Sequence, residues 1–433
     1  MRPPPAHRAT TAHLQAIYPF ATSGGIGGAG PLLGRDVLGG PFSFDPWELY
    51  RTGRITNPNL VVLGQLGRGK STFVKILVWR QLAFGRRAWI MDPKGEYGPL
   101  ARACGTEPLA LVPGGSVRLN PVDGIGRAAP GGGTGGARRA TDLVSTLVAT
   151  SLRRLLAPEE RAAIDLAVHH LAQDGPTPTP TLPDLVDVLL LPSPESAATV
   201  GTDVAGLARA GRDVALELRR MVRGDLAGMF DGVTSGRIDD GDAAVVVIDL
   251  SAVFGSPALP LIMTCAAAWL QGALAAADGV KRLVVIDEAW AILNDPAIAR
   301  WCQANFKLSR SLGIANVVVA HRVSDLSAAG ADGSAEEKLA TGLLADSETR
   351  VVFGQPPSEA RATARELALS GAEADLIPRL PRGVALWRVG SQSHLVEHVL
   401  GRSEAVLVDT DAAMRDNPRQ FPGSGADFCG TEG

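Results

Sequence analysis

The stretch VVLGQLGRGKSTFVKILVW, from Val61 to Trp79, decides the fold. It begins as an apolar run, breaks into a glycine-rich turn and resumes with the apolar spacing of a helix. Within it, GQLGRGKS satisfies the pattern G-x-x-x-x-G-K-[ST] and lies between a predicted strand and a predicted helix, as that pattern requires. A phosphate-binding loop is therefore predicted, with a glycine-rich turn that fits by chance as the alternative.

Each residue type in this loop has a physical role. The glycines allow consecutive backbone N–H groups to turn toward one centre, and the helix that follows points its positive end at the same place. Lys70 is predicted to contact the β and γ phosphates of ATP, and the Ser71 hydroxyl to ligate Mg²⁺. The predicted nucleotide-binding residues are Gly64, Gln65, Leu66, Gly67, Arg68, Gly69, Lys70, Ser71 and Thr72.

A pair of acids follows a later apolar strand in RLVVIDEAW. Asp287 is predicted at the carboxyl edge of the sheet, where open α/β folds bind ligands and where it would hold the magnesium ion through water. Glu288 is predicted to polarise a water molecule for attack on the γ phosphate. The alternative is a strand end with solvated acids. Asp249 ends another strand, but Leu250 and not an acid follows it.

A third motif, DPKGEYGPL, contains Asp92, Lys94 and Glu96 at and directly after the end of the predicted strand at residues 88–92. Its residues are also those of an ordinary turn, because Pro-Lys-Gly forms one without any further function. The residues by themselves leave both interpretations open.

A fourth motif, VVVAHRVSDL, has His321 and Arg322 at a strand end. His321 is a candidate sensor of the γ phosphate, and a hydrogen-bonded residue at the sheet edge is the alternative. Oligomeric ATPases often supply an arginine from a neighbouring subunit, and Arg310, Arg322 and Arg350 are candidates. Arg310 is favoured because it lies just before the strand that carries His321.

Composition restricts the class of protein. Of the 433 residues, 45% are hydrophobic and 20% are charged, which is a globular balance. The net charge of -3 gives no global basic field, so any contact with DNA must come from a local patch. The four cysteines form no CxxC pair, which argues against zinc and favours a reducing compartment. The apolar stretch 257–277 contains Pro260 and Gln271 and is predicted to be a buried helix, not a membrane span.

Short β-branched runs alternate with helical stretches over most of the chain. Continuous apolar runs of this kind are typical of strands buried on both faces of a parallel sheet, and they lie at residues 60–64, 88–92, 243–250, 282–288, 315–321 and 349–354. The predicted fold class is α/β: a RecA-like P-loop NTPase with a mainly parallel central sheet and an all-helical insertion. The stretch 381–400 alternates as a hairpin that should complete the sheet.

Four regions are predicted. Residues 1–58 form a lead-in segment that packs on the main domain, and residues 59–123 together with 237–415 form the RecA-like ATPase domain. Residues 124–236 comprise a flexible low-complexity loop and the all-helical insertion. Residues 416–433 are predicted to be a disordered tail.

These motifs together resemble a known family. GQLGRGKS, DPKGEY, LVVIDEAW, the arginine in SRSLG and the strand followed by VSDL are similar to the motor ATPases of conjugation and type IV secretion, in particular TraC-like conjugal-transfer ATPases of high-GC Gram-positive bacteria. These belong to the HerA–FtsK superfamily of P-loop pumps. The similarity extends from Tyr18 to Met414.

The resemblance implies a RecA-like motor that assembles as a ring, commonly a hexamer, with ATP and Mg²⁺ held between subunits. It implies that Asp287 is the Walker B acid, that Glu288 is the base, and that the DPKGEY residues do more than form a turn. Members usually carry a Gln where this chain has His321. They also usually carry an N-terminal domain ahead of the motor, and this chain resembles the motor portion without that domain. Recruitment to a membrane channel is therefore expected to depend on a separate protein.

The leading function is an ATP-hydrolysing motor that transfers DNA, a nucleoprotein or a protein through a conjugation or type IV secretion apparatus. The expected partners are further copies of the chain, the DNA or nucleoprotein substrate and membrane-associated channel proteins. The expected location is cytoplasmic, at the inner face of the membrane, with no transmembrane segment in the chain itself. The alternatives are a soluble double-stranded DNA translocase of the HerA or FtsK kind and a nucleotide-dependent assembly scaffold with little turnover.

Overall fold

The computed structural model describes residues 26, 29–37, 40–123, 125, 135–173, 178–235, 243–256, 258–275, 279–289, 306–323 and 342–408. Over these residues, eleven strands form one sheet. The strands are β1 (Leu32–Asp36), β2 (Pro41–Ser43), β3 (Leu60–Leu63), β4 (Arg87–Asp92), β5 (Leu109–Ala110), β6 (Val245–Asp249), β7 (Arg282–Ile286), β8 (Ile314–Ala320), β9 (Thr349–Phe353), β10 (Val384–Val389) and β11 (Gln392–His398). Their order across the sheet is β2-β1-β11-β10-β9-β3-β8-β7-β4-β6-β5.

The sheet has a parallel part and an antiparallel part. All strand pairs from β9 through β3, β8, β7, β4 and β6 to β5 are parallel, whereas β10, β11, β1 and β2 extend the sheet as antiparallel strands. The predicted mainly parallel α/β sheet is confirmed, and the hairpin predicted within 381–400 is β10 and β11.

The helices flank this sheet. They are α1 (Pro46–Arg51), α2 (Lys70–Leu82), α3 (Gly98–Ala103), α4 (Gly135–Leu152), α5 (Pro158–Gln173), α6 (Leu182–Leu190), α7 (Pro194–Thr199), α8 (Val204–Arg223), α9 (Leu259–Ala275), α10 (Pro357–Glu366), α11 (Gly371–Leu376) and α12 (Ala405–Val408). Residues 306–312 are also helical. The apolar stretch for which a buried helix is expected forms α9, and all of its residues from Leu261 to Ala267 are buried.

Alternate residues of each central strand enter two different cores. In β3, Leu60 and Val62 pack with residues of α2 and α3 on one face. Val61 and Leu63 belong to a second cluster, on the other face, that contains residues of α9 and of helices α4 to α8. Because successive side chains of a strand point to opposite faces, a strand with both faces covered must be apolar at every position, as β3 is.

Helices α4 to α8 lie between β5 and β6 in sequence and form a compact unit. Several helices of this unit have side-chain caps at their N-termini. They include a capping box of Thr181 and Asp184 at α6 and the N-cap Asp203 at α8. The loop after β5 is joined to it by the Asn120 side chain, which donates to the carbonyl of Pro180 at 2.8 Å. Helix α4 packs against α9, so the unit contacts the second core directly.

Two strands from the segment before residue 59 lie at the edge of the sheet. β1 pairs with β11 in an antiparallel register that places Gly34 opposite His398. Gly34 approaches so closely that an added Cβ would lie 2.1 Å from the carbonyl oxygen of Glu397, so a residue without a side chain is required there.

A half-buried arginine of α2 joins this edge to the turn that precedes α12. Arg80 forms a bidentate ion pair with Glu404, with N–O distances of 2.7 and 2.6 Å. Its guanidinium also donates to the carbonyl of Leu32 in β1 at 2.5 Å and to that of Val399 at 2.8 Å. The pair holds the pKa of Glu404 below its ordinary value.

Candidate nucleotide site

The glycine-rich loop lies between β3 and α2 and is fixed to the strands on both sides of β3. The N–H of Gly64 donates to the carbonyl of His321, after β8, at 3.3 Å. The N–H of Gln65 donates to that of Gly354, after β9, at 3.1 Å. Gly64 has φ +150°, and a Cβ at this position would lie 2.6 Å from that of Phe353, so only glycine fits.

The rest of the loop faces outward. Gln65, Leu66 and Gly67 are exposed. Four further predicted nucleotide-binding residues are half-buried: Arg68, Gly69, Ser71 and Thr72. Gly69 caps α2 with φ +106°, and because glycine has no side chain it supplies no side-chain acceptor to the first N–H groups of the helix. A helix that begins in this way carries positive charge at its start and favours an anion.

Lys70 is held inside the loop. Its side chain is buried, and its Nζ donates to the carbonyls of Gly64 at 2.5 Å and Gln65 at 3.2 Å. The same atom lies 2.9 Å from Nδ1 of His321. Burial lowers the pKa of Lys70 to about 8, although the nearby carboxylates Glu288 and Asp287 act in the opposite direction. The ammonium group therefore lies where the loop would bind phosphate.

Asp287 directly follows β7 and is buried. Its Oδ2 accepts a hydrogen bond from the Tyr97 hydroxyl at 2.8 Å, and its Oδ1 accepts one from the Glu288 N–H at 2.8 Å. Burial raises the pKa of Asp287. A cation next to this carboxylate would relieve the cost of its burial, so the position suits a metal-binding acid.

Glu288 is held from two sides. Its carboxylate oxygens lie 2.5 Å from Nζ of Lys94 and 3.1 Å from Nε2 of His321. Its side chain is only 8% exposed, so both contacts form in a desolvated environment. The backbone of Glu288 has φ +49°, which is unusual for a residue with a side chain and changes the direction in which that side chain leaves the strand end.

The DPKGEY turn is built around Asp92. This buried carboxylate accepts the N–H of Lys94 at 3.2 Å and that of Tyr97 at 2.8 Å. Burial raises the pKa of Asp92 to about 6, although hydrogen bonds from the backbone of Tyr97 and Glu96 act in the opposite direction. Glu96, the third residue singled out in this motif, is half-buried. The turn therefore presents Lys94 to Glu288 and Tyr97 to Asp287.

Two residues of the site are absent from the sequence-based predictions. Tyr97 contacts Asp287 through its hydroxyl, and the ammonium of Lys75, a buried residue of α2, lies 5.2 Å from the centre of the Tyr97 ring. A lysine among the apolar positions of a helix was an available signal for Lys75. Nothing in the sequence distinguishes the Tyr97 hydroxyl as a partner of an acid that lies 190 positions away.

The four charged or polar residues of the site lie in the order of the strands that carry them. Lys70 follows β3, His321 follows β8, Glu288 follows β7 and Lys94 follows β4, and these strands are consecutive neighbours in the sheet. Each residue contacts the next. Asp249 is the last residue of β6, on the far side of β4, and its Oδ1 accepts the N–H of Ser251 at 2.9 Å. The strand order therefore favours Asp287 over Asp249 as the acid beside the loop.

The three candidate finger arginines lie in different environments. Arg310 is exposed in the helix that precedes β8, at the edge of the sheet opposite the loop. Arg322 follows β8 and lies 3.6 Å from Glu359.

Arg350 lies within β9, half-buried, and donates to the carbonyls of Leu367 at 3.3 Å and Leu344 at 3.4 Å. Burial lowers its pKa. These internal contacts make Arg350 the least available of the three to a neighbouring subunit.

The donor set suits Mg²⁺. Within the described part of the chain, no group of three or more His, Cys, Asp or Glu side chains is arranged to hold a metal ion. Magnesium in nucleotide sites is bound by one or two protein oxygens together with phosphates and water, so it does not need such a group. The buried carboxylate of Asp287 and the Ser71 hydroxyl on the first turn of α2 supply oxygens of the required type.

Comparisons with known proteins bear on the fold of the chain. A sequence profile of the AAA-like domain matches residues 50–111. No protein with a curated description matches the chain. The solved structure of VirB4 of Thermoanaerobacter pseudethanolicus is similar over 88% of this chain and 100% of its own, with a TM-score of 0.69 and 22% identity.

The plasmid coupling protein TrwB in complex with ADP and Mg²⁺ is similar over 79% of this chain and 85% of its own, with a TM-score of 0.56 and 17% identity. These similarities confirm the predicted RecA-like P-loop ATPase fold. No helix in the described ranges combines the length and apolar composition that crossing a bilayer requires.

Proposed function

We propose that this chain is an ATP-hydrolysing motor that energises transfer of DNA, a nucleoprotein or a protein through a conjugation or type IV secretion apparatus. The observation that carries the proposal is the contact chain from Lys70 through His321 to Glu288. It connects a phosphate-binding lysine to a buried carboxylate at the carboxyl ends of adjacent strands, as hydrolysis of a bound nucleotide requires.

The chemistry assigned to the site is attack by water on the γ phosphate of ATP. The water oxygen forms a bond to the γ phosphorus, the bond from that phosphorus to the bridging oxygen breaks, and ADP leaves with the electron pair. Glu288 accepts the proton of the water. Lys70 turns from the carbonyls of Gly64 and Gln65 to the β and γ phosphates. Magnesium, when bound by Ser71 and Asp287, neutralises phosphate charge.

A ring, commonly a hexamer in proteins of this fold class, is the proposed assembly. Arg310 is the proposed arginine finger because it is exposed in the helix that precedes β8, at the sheet edge opposite the chain's own loop, which suits a contact with the nucleotide of another subunit. The chain would act in the cytoplasm, at the inner face of the membrane, with channel proteins as partners. The similarity to VirB4 and to the coupling protein TrwB supports this setting.

Steady-state ATP hydrolysis tests the proposal. Turnover is measured over a series of protein concentrations, with single-stranded DNA, double-stranded DNA or neither, for the wild type and for Lys70→Ala and Glu288→Gln. A motor predicts turnover per subunit that rises with protein concentration and is lost in both variants. Removal of the base is expected to lower kcat by about 10²–10⁴-fold while ATP stays bound.

Two other functions make different predictions in the same assay. A nucleotide-dependent assembly scaffold would bind ATP tightly without turnover under every condition, and the presence of Glu288 argues against it because a scaffold needs no base. A soluble translocase of the HerA or FtsK kind would be stimulated by double-stranded DNA alone. Unchanged turnover in Glu288→Gln would contradict the assignment of the base.

A further inference from the structure

We propose that Lys94 is a positioning residue for hydrolysis: it holds the carboxylate of Glu288 in place to accept the proton of the attacking water. The inference rests on the proposed function and assigns a task to the DPKGEY turn, which is three strands away from the phosphate-binding strand β3. Lys94 acts through Glu288, so it needs no contact with the nucleotide or with the attacking water.

The first argument is the position of the ammonium group. Nζ of Lys94 lies 2.5 Å from Oε1 of Glu288, and its side chain is 30% exposed while that of Glu288 is 8% exposed. A carboxylate buried to this extent is stable in its ionised form only beside a cation or several hydrogen-bond donors. His321 contacts the other oxygen, so Lys94 and His321 together fix both ends of the carboxylate.

The second argument is the rigidity of the turn that carries Lys94. The backbone N–H of Lys94 donates to the buried carboxylate of Asp92, which also accepts the N–H of Tyr97. Gly95 follows with φ +71°, a conformation that reverses the chain directly after the lysine. The backbone that carries the lysine side chain is therefore fixed. The lysine ammonium can restrain Glu288 more precisely than an ammonium carried by a flexible loop could.

The third argument is a division of work between the two acids. Tyr97, at the end of the same turn, donates a hydrogen bond to Asp287. Of the two acids, Lys94 contacts Glu288. A neutral donor on the acid assigned to magnesium leaves its negative charge available for the metal ion. A cation on the acid assigned to the water restrains that acid more strongly. The turn thus treats the two adjacent carboxylates differently.

The test compares Lys94→Met, which keeps the length and apolar stem but removes the charge, with Lys94→Arg, which keeps the charge. Lys281→Met is the matched control, because Lys281 lies just before β7 at the opposite edge of the sheet. Lys94→Met is expected to lower kcat by about 10–100-fold with KM for ATP changed by less than about threefold, since a misplaced catalytic group costs rate and not binding. Lys94→Arg should recover most of that loss.

Two results of this assay would overturn the inference. One is a kcat of Lys94→Met within about twofold of the Lys281→Met control. The other is a raised KM with an unchanged kcat, which would make Lys94 a contact of the nucleotide. Thermal unfolding of each variant establishes that the protein is folded, and Lys94→Gln replaces Lys94→Met if the latter is not.

A double-mutant cycle separates failure of this inference from failure of the proposed function. The cycle compares the midpoints of thermal unfolding of Lys94→Met, Glu288→Gln and the double variant. These midpoints can be measured whether or not the protein hydrolyses ATP. A double variant whose shift is clearly smaller than the sum of the two single shifts supports a direct restraint of Glu288 by Lys94. Additive shifts would overturn the inference even in an active enzyme. A wild type without turnover under any condition would contradict the proposed function. The cycle would still show whether Lys94 restrains Glu288.

Discussion

His321 and Lys70 are joined by a contact of 2.9 Å between the imidazole Nδ1 and the ammonium Nζ. A lysine ammonium has donors and no acceptor, so Nδ1 must be the acceptor of this hydrogen bond. The ring hydrogen therefore lies on Nε2, which is 3.1 Å from the Glu288 carboxylate and donates to it. The hydrogen-bond geometry thus selects the tautomer of His321 with its hydrogen on Nε2, and that tautomer connects Lys70, the proposed phosphate-binding residue, to Glu288, the proposed base.

Replacement of His321 by Gln should preserve this connection. The amide oxygen of Gln can accept from Lys70 and its NH₂ group can donate to Glu288, whereas Leu can do neither. We expect His321→Gln to keep kcat for ATP hydrolysis within about tenfold of the wild type and His321→Leu to lose about 10²-fold, a loss typical of a removed active-site hydrogen bond. Equal rates for the Leu and Gln variants would contradict a connecting role.

Asp92 should make the stability of the protein depend on pH. Its folded-state pKa of about 6 is above its ordinary value of 3.8, so the folded state holds a proton that the unfolded state releases as pH rises through this window. The wild type therefore loses stability between about pH 4 and pH 6, and Asp92→Asn, which cannot ionise, does not. Relative to the wild type, the variant should gain about 2–3 kcal/mol across this window, at about 1.4 kcal/mol per pKa unit.

Chemical denaturation at several pH values measures this difference. Asp187→Asn, at an exposed position of α6, serves as the control and should show no comparable change. A difference between Asp92→Asn and the wild type that stays constant from pH 4 to pH 6.5 would refute the raised pKa of Asp92.

The ion pair of Arg80 and Glu404 should contribute strongly to the free energy of unfolding. Both side chains are largely buried, and removal of the guanidinium leaves a carboxylate and two carbonyls without their donor. Arg80→Ala should cost about 3 kcal/mol, as expected when one partner of a buried pair is removed. In Arg51→Ala, loss of the exposed pair with Glu48 should have little effect.

The acid dependence of this pair has the opposite sign to that of Asp92. The pKa of Glu404 is lowered chiefly by Arg80, so the stabilisation is complete above the ordinary carboxyl pKa and is lost as pH falls through the lower, folded-state value. Urea denaturation of the wild type and of Arg80→Ala should therefore converge at strongly acidic pH. Curves that remain parallel from neutral to acidic pH would argue against the pair.

Two loop glycines should differ in their tolerance of alanine. An alanine Cβ at position 64 would lie 2.6 Å from that of Phe353, whereas one at position 67 meets no atom within 4 Å and suffers only the strain of φ +74°. Gly64→Ala should therefore cost about 2–4 kcal/mol of stability, and Gly67→Ala about 1 kcal/mol. Denaturant unfolding and ATP binding of the two variants compare them. A larger loss in Gly67→Ala would show that the packing against Phe353 is not limiting.

Local motifs predicted much of the site. The loop around Lys70 and the acids Asp287 and Glu288 follow apolar strands, and the rule that parallel strands present their carboxyl ends at one edge was sufficient to bring them together. The partners within the site were not predictable, because they depend on strand order. No local pattern places β4 beside β7, so the contact of Lys94 with Glu288 could not be derived.

The edge of the sheet was also beyond reach of local pattern. β1 is short, and its glycine-rich surroundings indicate a loop more than a strand. It becomes a strand because β11 presents an unpaired edge, and Arg80 adds a donor to the carbonyl of Leu32. Pairing between distant segments thus overrides a weak local preference for strand.

The position of β3 has a consequence for synthesis of the chain. Its two neighbours in the sheet are β8 and β9, in which Val319 and Val351 are the partners of Val62, so both neighbours are made long after β3 itself. A ribosome-bound chain that ends between residues 72 and 348 contains the complete GQLGRGKS sequence but at most one of the two strands that fix the loop. Competence to bind nucleotide should therefore arise late in translation. We expect that the nascent protein does not bind ATP until β9 has been synthesised.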